Sequence, residues 1–413
     1  RAKCESVDKK ALTIDKQREI WFETVRDNIY VVCKTPMAKT ITKRTLVGYS
    51  AHKINAHYFD DLINTMANKP QLFVDKVTKE SYWKKGNSIM KFDAIVGNPP
   101  YQKVDNGNGA SASPVYQFFI NQAKLLLPKY ISMICPARWF NGGKGLDAFR
   151  GDMLNDKRID KLFDFQNAKD CFPTTSISGG VCYFLWNRDN ISENCRITNI
   201  LVGRKTTLNR ALDEFPIYVR YNDSVNIIRK IQQYKEEFIS TCFSSRNPYG
   251  LATNVRGGDS QFTGSVALYS SAGVSYISRD VITQGKETIG LYKTMVSRIT
   301  CEHAGEPDRT GMYKVIATIK QLSPNEVCTD SYLIGYPTDD ENMSKNFAEY
   351  LRTKFVRFLI MQTMSSINLT KEKYGFVPLQ DFSQKWTDEK LYKKYGLTKQ
   401  EISFIESMIK PME

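Results

Sequence analysis

The sequence predicts an α/β fold: an incomplete, doubly wound sheet over residues 1–202, then a mixed α+β domain over residues 203–413 that ends in helices. Three observations predict it. Short, unbroken apolar runs alternate with amphipathic helical stretches through the first half, as in a sheet covered on both faces. After about Val202 the texture changes to short β-type segments among Gly, Ser and Asn clusters. A chain of 413 residues is also too long for one ordinary hydrophobic core.

Composition bounds the class. With 41% apolar and 25% charged residues this is an ordinary globular composition, and no apolar run approaches the roughly 20 residues of a membrane span. The net charge of +14, from 58 basic and 44 acidic side chains, favours a polyanionic partner. Nine scattered cysteines without a CxxC pair, and only three histidines, argue against zinc and a disulfide framework. They place the chain in a reducing cytoplasm. It begins at Arg1 with no signal-peptide pattern, and is expected to be trimmed or partial.

In chain order, Ile14 to Arg26 reads as a helix and Ile29 to Cys33 as a buried strand, and a helix from Pro36 to Leu46 starts on a proline. The stretch that organises the rest is Lys91-Phe-Asp-Ala-Ile-Val-Gly-Asn-Pro-Pro-Tyr-Gln102. Phe92, Ala94, Ile95 and Val96 form a strand with both faces covered. Two prolines then end it, because neither donates a ladder hydrogen bond and each fixes φ near −65°. The result is a stiff turn at the carboxyl end of a strand, where open α/β sheets place ligands. Asn98 contributes an amide oxygen, Pro99 a backbone carbonyl and Tyr101 a π-face. Two fixed acceptors can take both hydrogens of an exocyclic amine such as adenine N6, pyramidalise the nitrogen and turn its lone pair toward a methyl donor. No strong general base is needed.

From Gln102 to Ser113 the chain reads as a surface loop or as a cover over a bound base. A helix follows from Ser113-Pro114, a strand from Tyr130 to Cys135, a helix from Leu146 to Leu154 and strands at Ile159–Phe165 and Cys195–Leu201. Arg138, after the strand stop at Pro136, is either a phosphate contact or a surface ion pair. In the second half the reading gives strands at 217–220, 266–269, 274–277 and 314–319, and helices at 224–234 and 346–362. A capping box, Thr398-x-x-Glu401, opens the last helix.

The Asn98-Pro-Pro-Tyr101 turn after Phe92-Asp-Ala-Ile-Val-Gly97 resembles the fourth motif of S-adenosylmethionine-dependent amino-methyltransferases, most closely the adenine-N6 DNA methyltransferases of bacterial restriction-modification systems. Asp170-Cys-Phe-Pro173 and the strand ending at Trp186 resemble their eighth motif. The resemblance implies a Rossmann-like methyltransferase sheet, S-adenosylmethionine as cofactor, and double-stranded DNA with a flipped adenine as substrate. It makes Asn98, Pro99 and Tyr101 the catalytic turn and sets Phe172, with Tyr101, to stack on the base. It implies a DNA target recognition domain over residues 203–413, whose candidate phosphate and base contacts are Arg246, Arg256 and Lys320 alongside Arg279, Lys286, Lys293, Arg298 and Arg309. Each of these alone reads equally as a solvated cation.

The family's Gly-rich cofactor motif is not found before Asn98 and is expected upstream of Arg1; Lys34 and Thr35 stand where the ribose-binding acid belongs. Alternatives are a non-catalytic DNA-binding specificity fragment, a nuclease, and a methylase of protein or RNA. Pro307-Asp308 lacks the downstream partner of a nuclease site, so a restriction endonuclease region or subunit would lie outside this chain. The 413 residues alone are expected to bind S-adenosylmethionine weakly or not at all. A calorimetric dissociation constant in the low micromolar range would contradict this.

Overall fold

The computed structural model describes residues 13–103, 113–175, 177–201, 203–301, 307–308, 310–364 and 367–412. By compactness the chain forms two units, Arg1–Met133 with Asn187–Asp189 and Ile134–Trp186 with Asn190–Glu413. Both mix helices with sheet, so the α/β reading holds. The loop tip at 104–112, Val202 and Arg309, all named above, lie outside the described residues. Among the described residues no helix is long and apolar enough to cross a membrane.

In the first unit, α1 (Ile14–Asn28) starts at Thr13, whose side chain accepts from the Lys16 amide. Strand β1 (Tyr30–Cys33) is followed by α2 (Pro36–Val47), which Thr35 caps and Gly48 ends at φ 62°. Its parallel partner β2 (Asn55–Tyr58) was not foreseen: Ala56 is its only buried residue, so there is no apolar run to read. With only this partner, β1 is not the buried strand expected; Cys33 alone is buried. Helices α3 (Leu62–Asn68) and α4 (Pro70–Val77) lead to β3 (Ala94–Gly97), α5 (Tyr116–Leu125) and β4 (Tyr130–Pro136). Leu62, Met66, Phe73, Val77 and Trp83 form the core of the unit, and Phe118 and Phe119 of α5 pack on it.

Strand β3 pairs in parallel with β4, from Ala94 opposite Tyr130 to Gly97 opposite Met133. The expectation that both faces of β3 are covered fails, since Ala94 is exposed and Val96 is 78% exposed. Apolar side chains alternate across a strand, and nothing packs on the side these two occupy.

In the second unit, α6 (Asp147–Leu154) precedes β5 (Ile159–Phe165), β6 (Val181–Asn187), β7 (Cys195–Leu201) and β8 (Arg204–Arg210). Strand β5 runs antiparallel to β6 and parallel to β7, and β8 closes antiparallel on β7. One face is fully buried through Leu162, Phe184, Trp186 and Ile197. The same face carries Asp164, itself fully buried. Arg220 grips it with a fork of two hydrogen bonds, Nε to Oδ2 at 2.7 Å and Nη2 to Oδ1 at 2.6 Å. Asn199 donates to Asp164 and accepts from the amide of Asn222, the first residue of α7 (Asn222–Gln232). The expected strand at 217–220 does not form; this segment is irregular.

The remainder adds β9 (Ser265–Ser270), β10 (Gly273–Ser278), β11 (Tyr292–Ser297), β12 (Ile319–Leu322), β13 (Glu326–Cys328) and β14 (Tyr332–Thr338). They make two three-stranded sheets, in the orders β10-β9-β13 and β12-β11-β14. The strand expected from Lys314 begins only at Ile319. The single helix expected at 346–362 is two, α8 (Glu341–Arg352) and α9 (Lys354–Gln362), broken where Thr353 turns extended and caps α9. Arg357, read as part of the solvated surround, is buried at the break and donates to the carbonyls of Arg352, Thr353 and Lys314. It satisfies acceptors that a helix end leaves open. Helices α10 (Asp388–Lys394) and α11 (Lys399–Met408) complete the chain, α11 with the capping box formed.

Lys293, grouped above with the surface cations, is fully buried on β11. Its Nζ faces the carbonyls of Thr288, Ile289 and Leu291 at 3.1, 3.2 and 2.9 Å. Burial pulls its pKa from 10.5 to about 8. Between those values the unfolded chain holds a proton that the folded chain lacks. The contribution of Lys293 to stability is therefore full above pH 10.5 and is lost as pH falls through about 8. Buried tyrosines act in the opposite sense, so the test is a difference. Between pH 8 and 10 the unfolding free energy of the wild type should rise by about 2 kcal/mol relative to Lys293→Met. A difference that stays flat in urea titrations would contradict it.

Candidate functional site

The turn after β3 is held from both sides. Two buried or half-buried prolines follow Asn98, whose side chain is exposed, and Tyr101 is half-buried. Beyond Tyr101 the chain is zipped onto the approach to α5: the Val115 amide donates to the Tyr101 carbonyl at 3.2 Å, and the Lys103 amide to that of Ser113 at 3.0 Å. Buried Pro114, Val115 and Tyr116 anchor this ladder to the core. A rigid base thus presents one neutral amide to solvent at the carboxyl end of a strand, and the corner is not walled in by side chains.

The carboxyl ends of β1 and β2 lie side by side, with Cys33 opposite Tyr58 and the Phe59 amide donating to the Cys33 carbonyl at 3.2 Å. Lys34 and Thr35 follow β1, and Thr35 is committed to capping α2. Sequence reasoning missed the acids here. Asp60 and Asp61 follow β2, both exposed, with Asp61 in the left-handed region at φ 51° ahead of α3 and accepting from Asn64. Their signal was hidden because β2 has no apolar pattern. For S-adenosylmethionine the fit is partial. These carboxylates can accept from ribose hydroxyls, but among the described residues no glycine-rich turn joins β1, β2 or β3 to its helix, so the methionine end has no cradle.

In the second unit, Arg138 sits on a 3-10 turn (Ala137–Phe140) after β4, exposed and without an ion pair among the described residues. Phe172 is half-buried, its amide bonded to the Ala168 carbonyl at 2.7 Å, with Pro173 to Thr175 exposed beside it. The loop returns through Gly180 at φ 78°, where a Cβ would lie 2.2 Å from the Phe165 carbonyl oxygen. Only glycine allows that approach. The Gly180 carbonyl then accepts from the Ala137 amide, which ties the Phe172 loop to the turn that carries Arg138. A recess of about 60 Å³ nearby, lined by Asn141, Gly179, Arg220 and Tyr313, is too small for a purine.

The basic candidates of the second half have different surroundings. Arg246 is exposed but pairs with Asp330 through Nε and Nη2 at 2.9 and 2.8 Å. Arg256 is exposed and folds back onto the carbonyls of Thr253 and Val255. Lys320 stands 4.3 Å above the Tyr269 ring. No group of histidine, cysteine, aspartate and glutamate able to hold a metal occurs among the described residues.

An α/β chain with an exposed Asn-Pro-Pro-Tyr turn at a strand end is what a restriction-modification methylase presents. Residues 27–172 match one such family, the Eco57I restriction-modification methylase, and form a domain of that kind. Over 114 residues the chain is 40% identical to an uncharacterized adenine-specific methylase of Mycoplasma pneumoniae, covering 27% of each. Among solved structures it is similar to the type IIG restriction endonuclease BpuSI, at 9% identity and TM-score 0.37 over 96% of this chain and 60% of that one. It is also similar to a nuclease-deletion mutant of the Type ISP restriction-modification enzyme LlaGI in complex with a DNA substrate mimic, at 10% identity and TM-score 0.44 over 93% and 41%. The chain spans about a quarter of the curated relative and no more than about three fifths of these structures.

Proposed function

We propose that this chain is the greater part of a DNA methyltransferase that transfers a methyl group from S-adenosylmethionine to N6 of an adenine flipped out of double-stranded DNA, within a cytoplasmic restriction-modification system. The observation that carries it is the open amide of Asn98 on its proline-braced turn, inside the matched segment that also holds Phe172. In this reading Asn98 Oδ1 and the Pro99 carbonyl accept the two hydrogens of the amine. That rehybridises the nitrogen without a charged base, and the proton lost after transfer passes to water. Tyr101 and Phe172 contribute aromatic surface for the extruded base. Arg138 serves a backbone phosphate, and Arg246, Arg256 and Lys320 belong to the recognition region of residues 203–413. S-adenosylmethionine supplies the electrophilic methyl group, and Asp60 and Asp61 are the acids in reach of its polar end. The missing cradle for the methionine end favours one second reading, a specificity fragment that binds DNA without methylating it.

Asn98→Ala in the native full-length protein should lower methyl incorporation into unmethylated genomic DNA by about 10²–10³-fold, the scale of losing one preorganised polar contact to the reacting group. DNA affinity should change by less than about twofold. Unchanged incorporation would remove Asn98 from the chemistry. For Phe172→Ala, stacking worth about 1–3 kcal/mol is lost. Once the modified sequence is mapped, 2-aminopurine at the target position should show a smaller fluorescence rise with this variant than with wild type. An equal rise would end the stacking role.

A further inference from the structure

The four-stranded sheet of the second unit is covered on one face only. In-register neighbours share a face, so Leu185, Tyr183, Phe163, Phe165 and Ile200 lie together on the side opposite the buried Leu162, Phe184 and Ile197. Each of the five is half-buried, whereas the opposite side is sealed. A sheet with a parallel strand pair at its centre normally buries both faces.

The cations on this side are the second observation. Lys161 on β5 stands directly opposite Arg196 on β7, two like charges side by side, and Lys205 projects from β8 beside Ile200. None of the three has an acidic partner among the described residues. Opposed like charges destabilise a sheet, a cost that a carboxylate placed over them would remove.

Ring geometry decides between the two polyanionic or acidic occupants that such a surface suggests. Phe163 and Tyr183 are cross-strand neighbours stacked on each other at 4.5 Å and 12°, and the Lys205 ammonium lies 6.0 Å from the Phe163 ring. Stacked side by side, the rings stand up from the sheet and turn their faces to each other and to neighbouring strands. Only edges point outward. Nucleobases stack on faces, so this surface does not suit a single strand of nucleic acid. Ring edges with aliphatic neighbours do suit the ridges of a helix. Four strands span about 14 Å, the width of one helix with its side chains, and the five residues from Lys161 to Phe165 cover about three helical turns.

We propose that this face docks an amphipathic helix with acidic flanks, supplied by polypeptide outside these 413 residues. Its apolar ridge lies over Phe163, Tyr183 and Leu185, and its carboxylates pair with Lys161, Arg196 and Lys205. The inference is independent of the methyl-transfer chemistry.

The test is photocrosslinking in cells of the source organism, with Leu185 of the native protein replaced by benzoylphenylalanine and the adduct identified by mass spectrometry. The expected adduct is a peptide from outside residues 1–413 with apolar residues every three to four positions and acids on both flanks. Lys161→Glu with Lys205→Glu should cut its yield by about tenfold or more through like-charge repulsion, with the thermal midpoint unchanged. An adduct to nucleic acid, an adduct to a peptide of residues 1–413, no adduct, or a yield insensitive to charge reversal would each overturn the proposal. A double variant with a lowered midpoint would be replaced by Arg196→Glu alone, held to the same criterion.

Discussion

A carboxylate with no solvent exposure sits in the middle of a β-strand, and the second unit is arranged around neutralising it. Taking Asp164 out of water costs several kcal/mol unless an opposite charge with good geometry meets it. Arg220 does so with both arms of its fork, and Asn199 takes part of the remaining capacity. This requirement explains the irregular chain before α7. Residues 217–220 have strand-like composition, but Arg220 must turn its guanidinium inward onto the face of another sheet, and a ladder position would not aim it there. Asn222 then bonds backbone groups of β7 and β8. Sheet and helix α7 are thereby one packed body, and the compact unit runs across residue 203 without a break.

The first unit obeys a different constraint, set by two adjacent prolines. Their fixed φ and missing N–H groups forbid β3 from extending and forbid a helix from starting, so the chain must leave the sheet as a stiff arm. The hydrogen bonds from Val115 and Lys103 then catch that arm and return it to the core. A flexible loop would let Asn98 wander; here its neighbours on both sides are fixed. Neutral acceptors held this way suit a reaction whose difficulty lies in the direction of a lone pair. Acid–base chemistry would ask for a titratable group in their place.

What could be read from the residues follows from how burial writes itself into sequence. Strands β5 and β7 and the Asn-Pro-Pro-Tyr turn were legible because apolar runs and prolines are local signals. Strands β2 and β8 were not: Asn-Ala-His-Tyr and Arg-Lys-Thr-Thr-Leu-Asn-Arg carry no such run, and pairing with a neighbour alone holds them. With β2 went Asp60 and Asp61, whose interest lies only in standing at a strand end. The buried cations were misread for the same reason. Lys293 and Arg357 sit among polar or basic neighbours in sequence, and only the fold shows that backbone carbonyls, left open by a turn and by a helix break, are what they serve. The break at Thr353 itself has no Pro or Gly to announce it; a capping hydroxyl suffices.

The apolar pattern was also read too generously, and the error is informative. Ala94 and Val96 on β3, and Phe163, Phe165 and Leu185 on the other sheet, belong to runs that predict cover on both faces, yet one side of each is incompletely covered. A sequence records the surfaces that are buried when a protein works, and folding within one chain need not bury them all. Exposed Val96 and half-exposed Leu185 therefore point to the same physical conclusion from two units. These sheets are built to be completed by something packed against them, and in the second unit the unpaired row of Lys161, Arg196 and Lys205 gives that something a charge.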